Sequence, residues 1–225
     1  MKTLLKIFLT GATCVALACS LLAAKDSPPK GYKSLIKGES LDEWLVIPEK
    51  TQQIWKVDPK DGSLGRSIKN GTIWHKKTYG DFDLQLEFKM SRNCNSGVFF
   101  RSDPNNPVQG GFEIQIYDTK PNMPLDKHAI GALYDSQPAS ANTLNQTGKW
   151  NTFRLKVKGD RVQVWINGKL VNDADLSKWT TAEKNPDGTK NKFKTALNDL
   201  PKSGHIGFQD HGHNVWFRKI YIKEL

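Results

Sequence analysis

Residues 81–89 carry the pattern that most restricts the fold. Apolar side chains occupy the even positions Phe82, Leu84, Leu86 and Phe88, and polar side chains occupy the odd positions between them. A period of two is typical of a β-strand with one buried face and one wet face. The segment therefore predicts a half-buried strand rather than a helix.

Similar short strands recur to the end of the chain and are separated by tight turns. Asp61-Gly62, Asn70-Gly71 and Asn167-Gly168 are hairpin signals, and Asn167-Gly168 lies between apolar alternations. About a dozen short strands joined by such turns predict an all-β fold, a two-layer antiparallel β-sandwich. The segment Thr180 to Ser203 is charged and loop-like, and it predicts one short helical insertion with Phe193, Leu197 and Leu200 at helical spacing.

The N-terminus differs from the rest of the chain. Lys2 and Lys6 precede an apolar run over residues 7–22, and Lys25-Asp26-Ser27-Pro28-Pro29 follows it. This is the pattern of a secretory signal peptide and is too short for a membrane span. We predict a signal peptide at residues 1–24, a single domain at 25–225, and export to the periplasm or medium. Lipidation at Cys19 is the alternative, which would anchor the protein to the outer membrane.

Charge and motifs exclude several classes of function. Loss of Lys2 and Lys6 would lower the net charge from +10 to +8, and the remaining lysines are scattered rather than clustered. With no nucleic-acid motif, a nucleic-acid partner is not expected. The chain also lacks a Gly-x-Ser-x-Gly elbow, a Walker loop and a dinucleotide fingerprint, so serine hydrolases and nucleotide enzymes are excluded.

Residues 96–118 predict two strands joined by a polar loop, and they hold the main candidate site. In the second strand Glu113, Gln115 and Tyr117 share one face, and Asp118 follows at once. In the first strand Arg101 shares a face with Phe99, so paired strands would place Arg101 beside Glu113. Each residue alone could be an ordinary polar position on a wet sheet face. As a group they suit a polyhydroxylated ligand.

A second candidate cluster is Asp210-His211-Gly212-His213, since imidazole and carboxylate groups bind divalent ions. A His-x-His pair on a turn is more often hydrogen-bonded within the turn, so no metal ligands are assigned. The need for a cofactor stays open, with a divalent metal such as calcium as one possibility.

The strand Glu113-Ile-Gln-Ile-Tyr-Asp118 also echoes the Glu-x-Asp-x-x-Glu strand of laminarinase-like glycosidases. In those enzymes two glutamates about 5 Å apart carry out retaining hydrolysis. Here Gln115 replaces the central Asp and Asp118 replaces the last Glu. Ordinary retaining chemistry does not fit these changes.

The chain resembles the 3-keto-disaccharide hydrolase domain family of bacterial exported proteins from about Lys33 to Leu225. The resemblance is carried by the following motifs: Asn95-Ser-Gly-Val-Phe-Phe-Arg101, Gly111-Phe-Glu-Ile-Gln-Ile-Tyr-Asp118, Gly131-Ala-Leu-Tyr134, Lys149-Trp-Asn-Thr-Phe-Arg154, Asn167-Gly-Lys169 and Gly204-His-Ile-Gly-Phe-Gln-Asp-His-Gly212. It implies a concanavalin A-like jelly roll and a glycoside substrate with a ketone at C3.

Such a ketone acidifies the C2 hydrogen, so the implied route is proton abstraction at C2, elimination of the C1 substituent and hydration. Glu113 is then the expected base, Arg101 or His211 the enolate stabiliser, and Asp118 or Tyr134 the leaving-group acid. The expected substrate-binding residues are Gln115, Tyr134, Tyr117 and His128.

Two other functions stay open at this stage. A carbohydrate-binding module without catalysis is the first, because jelly rolls serve as lectins as readily as enzymes. A conventional glycosidase acting on an unoxidised glucan is the second. The expected partner is a carbohydrate in each case, and the oligomeric state is left open.

Overall fold

The computed structural model describes residues 27–48, 55–66 and 71–225. The expected signal peptide at 1–24 and Cys19 lie outside these residues, as does Asn70 of one expected turn. No helix in the described part of the chain is long and apolar enough to cross a membrane.

The described residues form two antiparallel sheets that pack as a sandwich, as the sequence predicts. The larger sheet contains β1 (Lys33–Ser34), β3 (Trp55–Val57), β4 (Leu64–Arg66), β6 (Phe82–Met90), β9 (Asn151–Lys158), β10 (Arg161–Ile166), β11 (Lys169–Asp175) and β13 (Val215–Glu224). The smaller sheet contains β2 (Trp44–Ile47), β5 (Thr72–Tyr79), β7 (Asn95–Ser102), β8 (Phe112–Tyr117) and β12 (Gly204–Phe208). Its strand order is β2-β5-β12-β7-β8.

Alternation along the strands builds the core between the sheets. The predicted inward residues of β6, such as Leu84 and Phe88, are fully buried. Phe208 of the smaller sheet stacks on Phe217 of the larger one, with ring centroids 4.3 Å apart. Each fully buried side chain of this size contributes roughly 1.5–3 kcal/mol, so this layer holds the two sheets together.

The strand pair of the candidate site forms as predicted. β7 and β8 pair antiparallel, with Phe99 opposite Glu113 and Gly97 opposite Gln115. Ile114 and Ile116 face the core, which leaves Glu113 and Gln115 on the outer face of the smaller sheet. Both Glu113 and Gln115 are buried there, unlike ordinary polar residues on a wet sheet face.

Two connections between strands carry little regular secondary structure. Residues 129–134 form an irregular segment beside β8, held by the isolated bridge between Ile114 and Leu133. The predicted helical insertion at 180–203 is reduced to the short 3-10 turn Leu197–Asp199, and another 3-10 turn, Leu176–Lys178, precedes the segment. Leu200 precedes Pro201, and a residue before proline is disfavoured in the helical region.

Candidate active site

The site is built on the outer face of the smaller sheet, along one row of paired residues. Trp74 of β5 pairs with Gly207 of β12, Gly207 pairs with Phe99 of β7, and Phe99 pairs with Glu113 of β8. Trp74 and Phe99 stack with ring centroids 5.1 Å apart. Because they lie outside the sandwich core, these two rings form an apolar floor beside Glu113.

Two glycines leave room for this arrangement. A Cβ atom at Gly97 would overlap the Glu113 carboxyl, and one at Gly207 would overlap the six-membered ring of Trp74. The absence of both side chains lets the carboxyl and the indole lie flat across the neighbouring strands. Glycine is therefore needed at these two strand positions because a side chain there would collide with a residue of the neighbouring strand.

Glu113 is the most strongly perturbed carboxyl of the described residues that face this site. Burial raises the pKa of Glu113 to about 8, while the charge of Lys192 opposes that rise. The side chain is therefore largely protonated at neutral pH and becomes a strong base once ionised. A pKa near the working pH is what efficient proton transfer requires.

Four buried polar atoms on this face have no hydrogen-bond partner among the residues that the structure describes. They are Trp74 Nε1, Glu113 Oε1, Gln115 Oε1 and Gln209 Oε1. The backbone N–H of Gln209 donates to the Gly97 carbonyl, so the pairing of β12 with β7 continues to this residue. Gln209 is two residues beyond Gly207 and therefore lies on the same sheet face. Buried unpaired polar groups are rare in native proteins, and each costs about 1–3 kcal/mol. One donor and three acceptors gathered on one face are an arrangement that a hydroxylated ligand would satisfy.

Tyr134 and Lys192 form one wall of the site. The backbone N–H of Tyr134 donates to the Glu113 carbonyl, which fixes Tyr134 beside the base. Lys192 Nζ donates to the Tyr134 hydroxyl at 3.0 Å and lies 4.1 Å from the ring centroid. The Lys192 backbone N–H donates to Asp135, and this bond anchors the 180–203 segment beside Tyr134.

His128 and Tyr117 line a small cavity of about 270 Å³ that also contacts Gln115 and Tyr134. His128 Nε2 lies 3.0 Å from Asp135, and its ring packs edge-on against Tyr134. The structure thus places four predicted residues around this cavity: Gln115, Tyr117, His128 and Tyr134. Glu113 does not line it, but lies two residues from Gln115 on the same face of β8.

Arg101 was expected beside Glu113, and the structure places it elsewhere. Its backbone φ of 46° breaks the alternation of β7, so the side chain leaves the Glu113 face. The guanidinium donates to Gly80 O, Gly159 O and Asp81 Oδ1 at 2.8–2.9 Å and is almost fully buried. The Arg101 guanidinium therefore ties turns together and lies away from the Glu113 face.

Asp118 was one of two candidates for the leaving-group acid, and its contacts oppose that role. Its carboxylate accepts hydrogen bonds from Lys120, Thr147 and the Asn93 backbone. Burial alone would raise the pKa of Asp118, but these bonds outweigh it and hold the pKa below the ordinary value. Asp118 is thus a fixed anion that braces loops, on the face opposite Glu113.

The Asp210-His213 turn shows no metal-binding arrangement. The Asp210 carboxylate accepts hydrogen bonds from the Gly71 and Gly212 backbones and lies 3.2 Å from Arg66, so these contacts hold it within the turn. His211 is exposed and makes no hydrogen bond to another described residue. The part of the chain that the structure describes contains no group of three or more His, Cys, Asp or Glu placed to hold a metal ion.

Sequence reasoning missed Trp74, Gln209 and Lys192. Alternation along β5 could have placed Trp74 on the outer sheet face, because its neighbour Ile73 faces the core. Gln209 lies within the motif that runs from Gly204 to Gly212. Nothing in the local sequence marks Lys192, because its position depends on the hydrogen bond to Asp135 far along the chain.

Comparison with known proteins shows the family to which the chain belongs. A model of the 3-keto-alpha-glucoside-1,2-lyase-like domain matches residues 31–223. The chain is 26% identical over 230 residues to a 3-keto-disaccharide hydrolase of Bacteroides thetaiotaomicron, covering 87% of this chain and 79% of that protein.

Solved structures give the same result for the fold. A candidate glycosyl hydrolase from Parabacteroides distasonis is 32% identical, with a TM-score of 0.76, covering 86% of this chain and 99% of that one. A second from the same organism is 21% identical, with a TM-score of 0.68, covering 87% and 94%. The findings support the predicted enzyme class, a glycoside hydrolase. Since the family model spans nearly all of the described sandwich, the chain belongs to the 3-keto-alpha-glucoside-1,2-lyase-like domain family.

Proposed function

We propose that this enzyme cleaves glycosides whose sugar ring carries a ketone at C3, by elimination followed by hydration. The observation that carries the proposal is the buried Glu113 carboxyl, whose pKa is raised to about 8, on a face with unpaired hydrogen-bonding atoms. A hydrogen beside a ketone is acidic enough for such a base, whereas a hydrogen on an unoxidised sugar is not.

In the first step the Glu113 carboxylate takes the C2 proton, and the C2–H electron pair forms a C2=C3 enolate. The developing charge on the C3 oxygen needs a hydrogen-bond donor. Trp74 Nε1–H is the unpaired buried donor on the same row of the sheet. It takes the role that Arg101, committed to Asp81, does not fill.

In the second step the C3=O bond re-forms, a C1=C2 double bond appears and the C1–O bond breaks. The leaving oxygen takes the proton of the Tyr134 hydroxyl. Because Lys192 donates to that hydroxyl, the phenol's own hydrogen is directed at another acceptor, and the ammonium stabilises the phenolate that remains. Gln115 and Gln209 would hold ring hydroxyls through their unpaired carbonyl oxygens.

Addition of water completes the reaction. Water attacks C1, the protonated Glu113 returns its proton to C2, and Tyr134 regains a proton from the water. The sum is hydrolysis of the glycosidic bond, with Glu113 and Tyr134 restored.

The test is product formation from a 3-keto-glucoside and from its unoxidised parent, with and without chelator. We expect cleavage of the keto substrate alone. Exchange of the C2 hydrogen in D2O, followed by NMR on a 3-keto sugar with no leaving group, isolates the first step. Glu113→Gln should abolish both signals, while Glu39→Gln, which alters an exposed carboxyl, should leave them unchanged.

Equal cleavage of the unoxidised parent would favour a conventional glycosidase. Sugar binding without product or exchange would favour a carbohydrate-binding module. Either result would contradict the proposed elimination.

A further inference from the structure

The outer face of the larger sheet carries three half-buried tryptophans that neither the core nor the candidate site uses. They are Trp150, Trp165 and Trp216. We call this surface the outer tryptophan face. It lies on the other sheet from Glu113, so a ligand bound there would not occupy the candidate site.

The tryptophans are arranged with cations in cross-strand rows. Trp216 of β13 pairs with Lys89 of β6, and Lys89 Nζ lies 4.8 Å from the ring centroids of both Trp216 and Trp150. Arg218, two residues along β13, lies 4.0 Å over Trp150. The Lys89 ammonium is therefore held between two indole rings.

A second cluster lies further along the same face. Gln85 pairs with Arg154 and Arg154 pairs with Trp165, with the guanidinium 4.8 Å from the Trp165 ring centroid. Lys89 and Gln85 are four residues apart on β6, which corresponds to about 13 Å. The second cluster borders a groove of about 480 Å³ that Tyr221 also lines.

The sheet is adapted to hold these rings. A Cβ atom at Gly65 would lie 2.7 Å from Trp216 Cδ1, so glycine at this strand position lets the indole lie on the sheet. A wet sheet face needs no such feature, because outward positions there are ordinarily filled by small or flexible polar side chains.

The charges of the face indicate the ligand. Two carboxylates, Asp83 and Glu87, serve three cations: Arg154, Arg218 and Lys219. Among the described residues no carboxylate lies within ion-pair distance of Lys89, although the charges of Lys89 and Arg218 both act on the Asp61 carboxylate. Four cations against these three carboxylates still leave an excess positive charge on a chain whose net charge is +10.

We propose that the outer tryptophan face binds an anionic polysaccharide, with carboxylate or sulfate groups at Lys89 and Arg218 and a sugar ring in the groove beside Trp165. Cations already cover faces of Trp150 and Trp165, which favours an acidic glycan over stacking of a neutral one. The flat rings and the groove favour a polysaccharide over a ligand recognised by charge alone.

The test is binding of polygalacturonate and chondroitin sulfate by the whole protein, with dextran as the neutral probe. We expect both anionic glycans to bind, dextran not to bind, and added salt to weaken binding. Lys89→Gln breaks no ion pair and should raise the Kd roughly tenfold. Trp165→Leu should raise it by a similar factor, while Lys37→Gln, an exposed lysine away from this face, should leave it unchanged.

Thermal unfolding of each variant checks that the fold is kept, and cleavage of a small 3-keto-glucoside should match the wild type. Equal losses for Lys37→Gln and Lys89→Gln would show general charge attraction and overturn the proposal. So would binding of dextran as strong as that of the anionic glycans. Tight binding to anionic lipid vesicles that survives Trp165→Leu would also overturn it, by pointing to a membrane surface.

Discussion

At the scale of single residues, burial gives Glu113 its chemistry. The proposed base works only when ionised, and its pKa is raised to about 8 by burial. We therefore expect kcat/KM for a 3-keto-glucoside to rise with pH and to level off above about pH 8. A profile measured from pH 5 to 10 checks this. A rate that levels off near pH 5 would show that another group, or an already ionised Glu113, limits the reaction.

Lys192 influences the pH at which kcat/KM rises. Its charge lowers the pKa of Glu113, so Lys192→Met should move the rising limb to higher pH and reduce the rate at pH 7. Lys194→Met is the matched control, because Lys194 is exposed on the same segment and only its backbone N–H bonds to Gln109. A limb that stays in place in Lys192→Met would mean that Lys192 acts only through Tyr134.

Trp74 provides a second test at this scale. Trp74→Phe keeps an aromatic ring but removes the unpaired N–H, and loss of one donor to a developing oxyanion costs about 10²–10³ in kcat. We expect that loss in kcat and in C2 exchange, with little change in KM. Trp55→Phe removes an N–H that donates to Gly71 O at 2.8 Å, so it should reduce stability rather than the turnover of folded enzyme. Unchanged C2 exchange in Trp74→Phe would remove Trp74 from the mechanism.

The residues predicted correctly and incorrectly differ in what fixes their direction. Glu113 and Gln115 follow from the alternation of one strand, which is a local rule. Arg101 fails that rule because one positive φ turns its side chain toward Asp81, twenty positions earlier in the chain. Burial of Glu113 was not predictable either, because it depends on Gly97 in the neighbouring strand.

At the scale of elements, β7 shapes the site through the side chain that it lacks. Gly97→Ala would place a Cβ atom where the Glu113 carboxyl lies. The carboxyl would have to move away, and the packed sheet leaves it little room to do so. We expect loss of most C2 exchange activity with a modest fall in melting temperature, since Gly97 has no positive φ to strain. Gly62→Ala, at a turn with open space but positive φ, should lower stability without affecting the turnover of the folded enzyme. Full activity in Gly97→Ala would show that Glu113 can work from another rotamer.

The strands were predictable and the long connections were not. Short-range alternation and turn pairs such as Asn167-Gly168 locate β9, β10 and β11, because their hydrogen bonds are local. The 180–203 segment has apolar residues at helical spacing, yet the amide of Asn185 determines its path by bonding Trp179, Asn191 and the Asp135 carbonyl. Such a side-chain network has no periodicity that a sequence pattern could reveal.

At the scale of the whole molecule, the candidate site should reduce stability at alkaline pH. Glu113 has an ordinary pKa of 4.5, and its folded value is raised to about 8. Between these values the unfolded chain loses the proton and the native chain keeps it, so the free energy of unfolding falls as pH rises. Below about pH 4.5 and above about pH 8 the contribution of Glu113 to the free energy of unfolding no longer changes with pH. The total loss for a shift of this size is on the order of a few kcal/mol.

Glu113→Gln should therefore be inactive but more stable than the wild type at pH 9, with a smaller stability difference at pH 5. Asp118→Asn should change stability in the opposite direction. Hydrogen bonds lower the pKa of Asp118, so its carboxylate stabilises the folded state at pH values above its ordinary pKa of 3.8. That variant should be less stable at pH 7, with the deficit shrinking as pH falls. Urea unfolding from pH 3 to 9 measures both. The contradicting outcome is the same pH dependence of unfolding in the wild type and in Glu113→Gln. It would show that Glu113 is ionised at neutral pH, and its role as a base with a raised pKa would lose its physical basis.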